Sequence, residues 1–163
     1  MENVIIKKGM PGDDEHLKNL TEYIEDDRKL MIGGNGVDYT NPSAAVEQMM
    51  CVKEHFGKTH NNPLVQVIVT FDDLVKDADT ACEYVQKAAA FYEEDYQTIY
   101  CVHEKDHDCQ NYHGHILINP VNIHDGKMLN TSHDQMNAFR SHVSDITGNE
   151  NRLIYKRRAK KSE

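Results

Sequence analysis

The sequence predicts an α+β fold: a central antiparallel β-sheet of about four to five strands with helices packed on it. Three observations carry that prediction. Short apolar or alternating runs recur at NVIIKKG, LVQVIVTF, QTIYCVH, HGHILIN and LIY, the lengths and residue types of strands. Between them lie stretches whose apolar residues return every three or four positions, the period of a half-buried helix. Finally, QTIYCVH and HGHILIN are joined by the polar loop EKDHDCQNY, a connection that suits a hairpin of antiparallel strands.

Each element follows in order. Residues Asn3 to Gly9 read as a short strand. Asp14 to Asp26 reads as a helix, with Leu17, Leu20 and Ile24 on one stripe. The stretch MIGGNGVDYTNPS is rich in Gly, Asn and Pro and reads as a loop. Ser43 caps a helix through Phe56, with Val46, Met49, Met50 and Phe56 as its apolar residues and Gly57 as its stop. A polar turn, KTHNNP, leads to the strand LVQVIVTF. Asp77 caps a long helix to about Glu94, whose Ala81, Val85, Ala88 and Tyr92 face the core. The two histidine-bearing strands come next, followed by a turn at Gly126. Ser132 and Gln135 form a capping-box pattern ahead of Met136, Phe139, Val143 and Ile146. A last strand, LIY, precedes a basic end.

The 163 residues suit a single domain over 1–155 with a basic tail at 156–163. Hydrophobic content of 39% and charged content of 28% are those of a globular chain. No apolar run approaches the roughly 20 residues that a helix needs to cross a bilayer. The N-terminus lacks a signal-peptide core, so an intracellular, cytoplasmic protein is expected. Cys51, Cys82, Cys101 and Cys109 show no CxxC spacing and read as reduced thiols. The net charge of −9 argues against simple coating of nucleic acid, because phosphate contacts need Lys and Arg. Five of the eighteen basic residues lie in YKRRAKKSE. A nucleic-acid function therefore has to rest on a local site, on that tail, or on a metal.

Half of the ten histidines fall between positions 103 and 124. His113 and His115 are two apart on a strand, so their side chains share a face. His103, ending the preceding strand, can face them across the hairpin. Three imidazoles in that arrangement cover one side of a divalent ion and leave positions open for substrate, as in catalytic rather than structural sites. His107 competes with His103 as third ligand, and the strand end favours His103. Glu104, Asp106 and Asp108 are placed to orient the rings or move protons. His124 reads as a loop residue. His16, His55, His60, His133 and His142 read as solvated helix or turn residues.

The pattern VH…HGHILINPVN…GK resembles the third motif of conjugative relaxases of the MOBP class, within the HUH endonucleases. HLKNLTEYIEDDRKL is similar to the first relaxase motif, in which a helix carries the nucleophilic tyrosine, here Tyr23. LVQVIVTF resembles the strand that links the motifs, ending in Thr70-Phe71, with Gln66 where a His is often found. Gly114 takes the place of a usual hydrophobe. The resemblance covers about residues 5 to 130. It implies Tyr23 and Asp106 as catalytic residues, and His103, His113 and His115 as ligands of a divalent metal: Mn or Mg, with Zn, Ni or Co as further options. It also implies a bacterial protein that nicks single-stranded DNA at an origin of transfer, working with accessory nicking proteins and a coupling protein. By spacing alone Tyr23 would only flank the buried stripe of its helix. Tyr112, beside the site, can stack on a base or cover the hairpin. Two other readings use the same residues: a catalytically degenerate relaxase-like protein that binds DNA or a partner, and a histidine-metal enzyme on a small substrate.

Overall fold

The computed structural model describes residues 2–8, 29–73, 75–104 and 111–155. The expected helix at 14–26, with Tyr23, lies outside them, as do Asp106, His107, Cys109 and the basic tail. In chain order the elements are β1 (Glu2–Lys8), β2 (Lys29–Asn35), α1 (Pro42–His55), β3 (Val65–Thr70), α2 (Ala78–Glu93), β4 (Thr98–His103), β5 (His113–Ile118), α3 (His133–Thr147) and β6 (Asn151–Tyr155). The α+β class is as expected.

The sheet is larger than expected and mixed. Its order is β2-β4-β5-β3-β1-β6, six strands rather than four or five. All neighbours run antiparallel except β1 and β6, which pair in parallel. The sixth strand, β2, begins two residues before the stretch expected to be a loop and continues into it. Its glycines mark close approach rather than a turn. A Cβ on Gly33 would lie 2.5 Å from the Tyr100 hydroxyl, and one on Gly34 would lie 2.6 Å from the Thr98 carbonyl oxygen. Glycine inside a strand is used where another group comes that near.

Local signals set the helix boundaries. Asp77 caps α2 as expected, accepting from the Thr80 backbone N–H at 2.8 Å. Ser132 caps α3, and Gly148 ends it in the left-handed region. The cap of α1 is Asn41 rather than Ser43: its side chain accepts from Ala44 N, and Pro42 opens the helix. Proline suits that position because its missing N–H would have no partner in the first turn.

The two faces of the sheet are covered differently. On one, α2 and α3 pack Val85, Ala88, Tyr92, Met136, Phe139 and Val143 against Val4, Val67, Val69, Val102 and Ile116. On the other, α1 brings Ala45 and Met49 onto Ile99 and Leu117. Alternation along β4 and β5 then puts Cys101, His103, His113 and His115 on the α1 side, beyond the end of the strands that α1 covers.

Candidate metal centre

Strand register builds the site. Directly opposed residues share a face of a sheet. His103 is opposite His113, and His113 is opposite Thr70. The row extends to Lys29 on β2 at one end, and through Asn3 on β1 to Arg152 on β6 at the other. At about 4.8 Å per strand it spans about 24 Å, and every member is polar or basic. A register shift between Lys29 and Met31 bulges β2 at this point. The next row, one pleat away, holds Ile32, Cys101, His115, Ile68, Ile5 and Ile154.

The three histidines predicted as ligands meet here. His103 and His113 are buried and His115 is half-buried. Their ring centroids are 5.0 to 5.3 Å apart. One nitrogen of each ring lies within 4.8 Å of the other two, so the set could hold a metal ion. An ion bound at about 2.1 Å to two ligands at the tetrahedral angle sets them about 3.4 Å apart. The outer contacts fit the same chemistry. His113 Nδ1 is 3.0 Å from the Asn111 carbonyl oxygen. A carbonyl only accepts, so Nδ1 carries a proton, and the neutral ring with that proton has its lone pair on Nε2. His115 Nδ1 is 2.9 Å from Gln66 Nε2. Cys101 Sγ lies 3.9 Å from His103 Nε2.

Gly114, between the two histidines, faces the other way. A Cβ there would lie 2.4 Å from Val85 Cγ2 of α2. The glycine thus lets α2 sit close behind the strand that carries the ligands. Tyr112 also packs on the α2–α3 side, so it covers the core rather than facing the histidines.

Asn119, the asparagine that ends the HGHILIN run, belongs to a separate cluster. It is fully buried, about 13 Å along the strand from His115. Its Oδ1 accepts from Lys53 Nζ at 2.9 Å, and its Nδ2 donates to Gln97 Oε1 at 2.8 Å. Lys53 also donates to the Pro63 carbonyl oxygen. This asparagine ties α1 and the segment leading into β4 to the far end of β5.

Two residues near the histidines escaped the sequence reading, and a third, Gln66, enters it only as standing where a His is often found. Lys29 was hidden because its strand read as part of a non-strand segment. Cys101 read simply as a thiol in a strand. Gln66 had a visible signal: one amide in the otherwise apolar run LVQVIVTF. His124 is an exposed turn residue as expected, its Nε2 3.0 Å from the Glu94 carbonyl oxygen. His55, His60 and His133 are exposed and His142 is half-buried.

Fold and site together define an α+β domain whose sheet carries a three-histidine candidate metal centre on one face. The family model described as "Relaxase: MobA/VirD2-like, nuclease domain" matches residues 19–151, and the chain belongs to that family. Its general class is therefore that of DNA-nicking relaxases. A comparison with curated proteins finds no significant match. Among the described residues no helix is long and apolar enough to cross a membrane.

Proposed function

We propose that this chain is a metal-dependent nickase that cuts one strand of DNA at an origin of transfer. The observation that carries the proposal is the convergence of His103, His113 and His115 within 4.8 Å on one sheet face. The polar row that runs through them, with Lys29 and Arg152 at its ends, supports a phosphate backbone as the ligand. It offers local basic contacts within a chain of net charge −9.

In this reading the three histidines would hold a divalent ion, Mn or Mg by the resemblance, while their imidazoles also suit Zn, Ni or Co. When bound, the metal draws charge from the non-bridging oxygens of the scissile phosphate. Tyr23 is the nucleophile. Its oxygen attacks phosphorus, the bond to the 3′ oxygen breaks, and that oxygen leaves as a 3′-hydroxyl after taking a proton. The product is a 5′-phosphotyrosyl link. A phenol titrates near 10 and is a poor nucleophile at neutral pH, so Asp106 takes its proton. The phosphodiester is exchanged rather than hydrolysed, which makes the step reversible and allows ends to be rejoined. Residues 1–155 act as the catalytic domain and 156–163 as a basic tail, in a bacterial cytoplasm, with accessory nicking proteins and a coupling protein as partners.

The test is a denaturing gel of protein mixed with single-stranded DNA from the region beside its own gene, with Mn²⁺. Wild type gives a shifted covalent band, which Tyr23→Phe and His113→Ala both lose. A band that survives Tyr23→Phe moves the nucleophile elsewhere. Metal binding without any band, across several DNA segments, replaces this proposal with a binding-only role.

A further inference from the structure

We propose that Gln66 is the positioning residue that decides which ring nitrogen of His115 is offered to a metal ion. The proposal rests on the metal-centre reading above and adds a part to it. Gln66 is buried in β3, on the face it shares with Ile68 and opposite to that of Val65, Val67 and Val69. Burying an amide there is unfavourable unless it is hydrogen-bonded. Its Nε2 lies 2.9 Å from His115 Nδ1.

The two HxH rings are held at Nδ1 by different kinds of group. The Asn111 carbonyl beside His113 only accepts, so it permits one neutral tautomer. The Gln66 amide can both donate and accept. With Nε2 toward the ring, the amide donates to Nδ1, and the neutral imidazole carries its proton on Nε2. That form has no lone pair left for a metal. A half-turn about the last side-chain bond brings Oε1 to the same place. The amide then accepts from Nδ1–H, and the Nε2 lone pair is released. Metal uptake at His115 is thereby coupled to a half-turn of one amide. Because the amide is neutral, the ion keeps its full charge for an anionic ligand, which a carboxylate in that place would partly cancel.

The test compares Mn²⁺ binding by calorimetry in the full chain for wild type, Gln66→Leu, Gln66→Glu and His113→Ala, with circular dichroism to confirm folding. Leucine neither donates nor accepts, so Gln66→Leu binds about ten- to a hundredfold more weakly than Gln66→Glu, the usual cost of losing an outer partner of a ligand. Glutamate only accepts, so Gln66→Glu binds at least as tightly as wild type. Nitrogen-15 NMR reads the tautomer directly: the His115 proton is on Nε2 in the metal-free chain and on Nδ1 in the Zn²⁺-loaded chain. Gln66→Glu binding as weakly as Gln66→Leu overturns the proposal, as does a loaded ring protonated on Nε2. In each case loss of binding in His113→Ala leaves the metal centre standing. Wild-type binding in His113→Ala removes the centre and the role of Gln66 with it.

Discussion

Two polar clusters lie on the same face of the same sheet, at opposite ends of β5, and they are built on different logic. In the Lys53–Asn119–Gln97 cluster donors meet acceptors. An ammonium points at two oxygens, and an amide bridges to another amide. In the histidine cluster three like groups meet, with ring nitrogens within 4.8 Å of one another. The first arrangement is complete as hydrogen bonding and serves the fold. The second is complementary to a cation and serves a ligand. Burial alone does not separate them, since His113 and Lys53 are each 2% exposed. The chemistry of what each side chain faces does.

That contrast can be broken by experiment. The largest effect is expected at His115→Ala. Mn²⁺ affinity, read by calorimetry, falls by more than about a hundredfold, beyond what loss of an outer partner causes. The metal-free chain loses about 1–2 kcal/mol in urea unfolding, the cost of taking the ring nitrogen from the buried Gln66 amide. Asn119→Ala should do the reverse. It removes an acceptor from a buried ammonium and a partner from Gln97, and costs about 3 kcal/mol in urea unfolding. Its Mn²⁺ affinity is unchanged. If Asn119→Ala abolished metal binding in a folded chain, the two clusters would be one site.

Two smaller effects sharpen the comparison. Gly114→Ala puts a methyl against Val85 and should destabilise by about 1–3 kcal/mol in urea unfolding. Val85→Ala in the same chain should recover part of that, because the obstruction is a side chain of α2. The smallest effect is at Glu2, a buried carboxyl that accepts from the Thr147 hydroxyl at 2.9 Å. Burial pushes its pKa above the ordinary value of 4.5, against the lowering effect of that hydrogen bond. A raised folded-state pKa adds stability that is complete below the ordinary value and is lost as pH rises through the folded one. Glu2→Gln should therefore raise Tm by about 2 °C at pH 7.5 and leave little difference at pH 4. A thermal melt at the two pH values reads it.

Much of the site was legible because it depends on short-range rules. The two-residue spacing of His113 and His115 puts both on one face of any strand. A polar loop between two apolar runs announces a hairpin, and a hairpin brings His103 opposite. The caps at Asp77 and Ser132 were equally local. The reading failed at β2, where Gly33 and Gly34 look like a loop until Tyr100 and the Thr98 carbonyl are seen pressed against them. It failed again at α1, where the cap lies two residues before the serine that resembled one.

The sequence by itself determined the class of fold, the hairpin and the three histidines, because side-chain alternation and helix periodicity are properties of neighbouring residues. Only the tertiary structure decided the parallel β1–β6 pair, which joins Glu2–Ile6 to Asn151–Tyr155. It also set Lys29, Thr70, Asn3 and Arg152 in one row with the histidines, and Gln66 beside His115. Those contacts join residues far apart in the chain. They follow from strand order and register, which are set when whole faces are buried together rather than by any local run of residues.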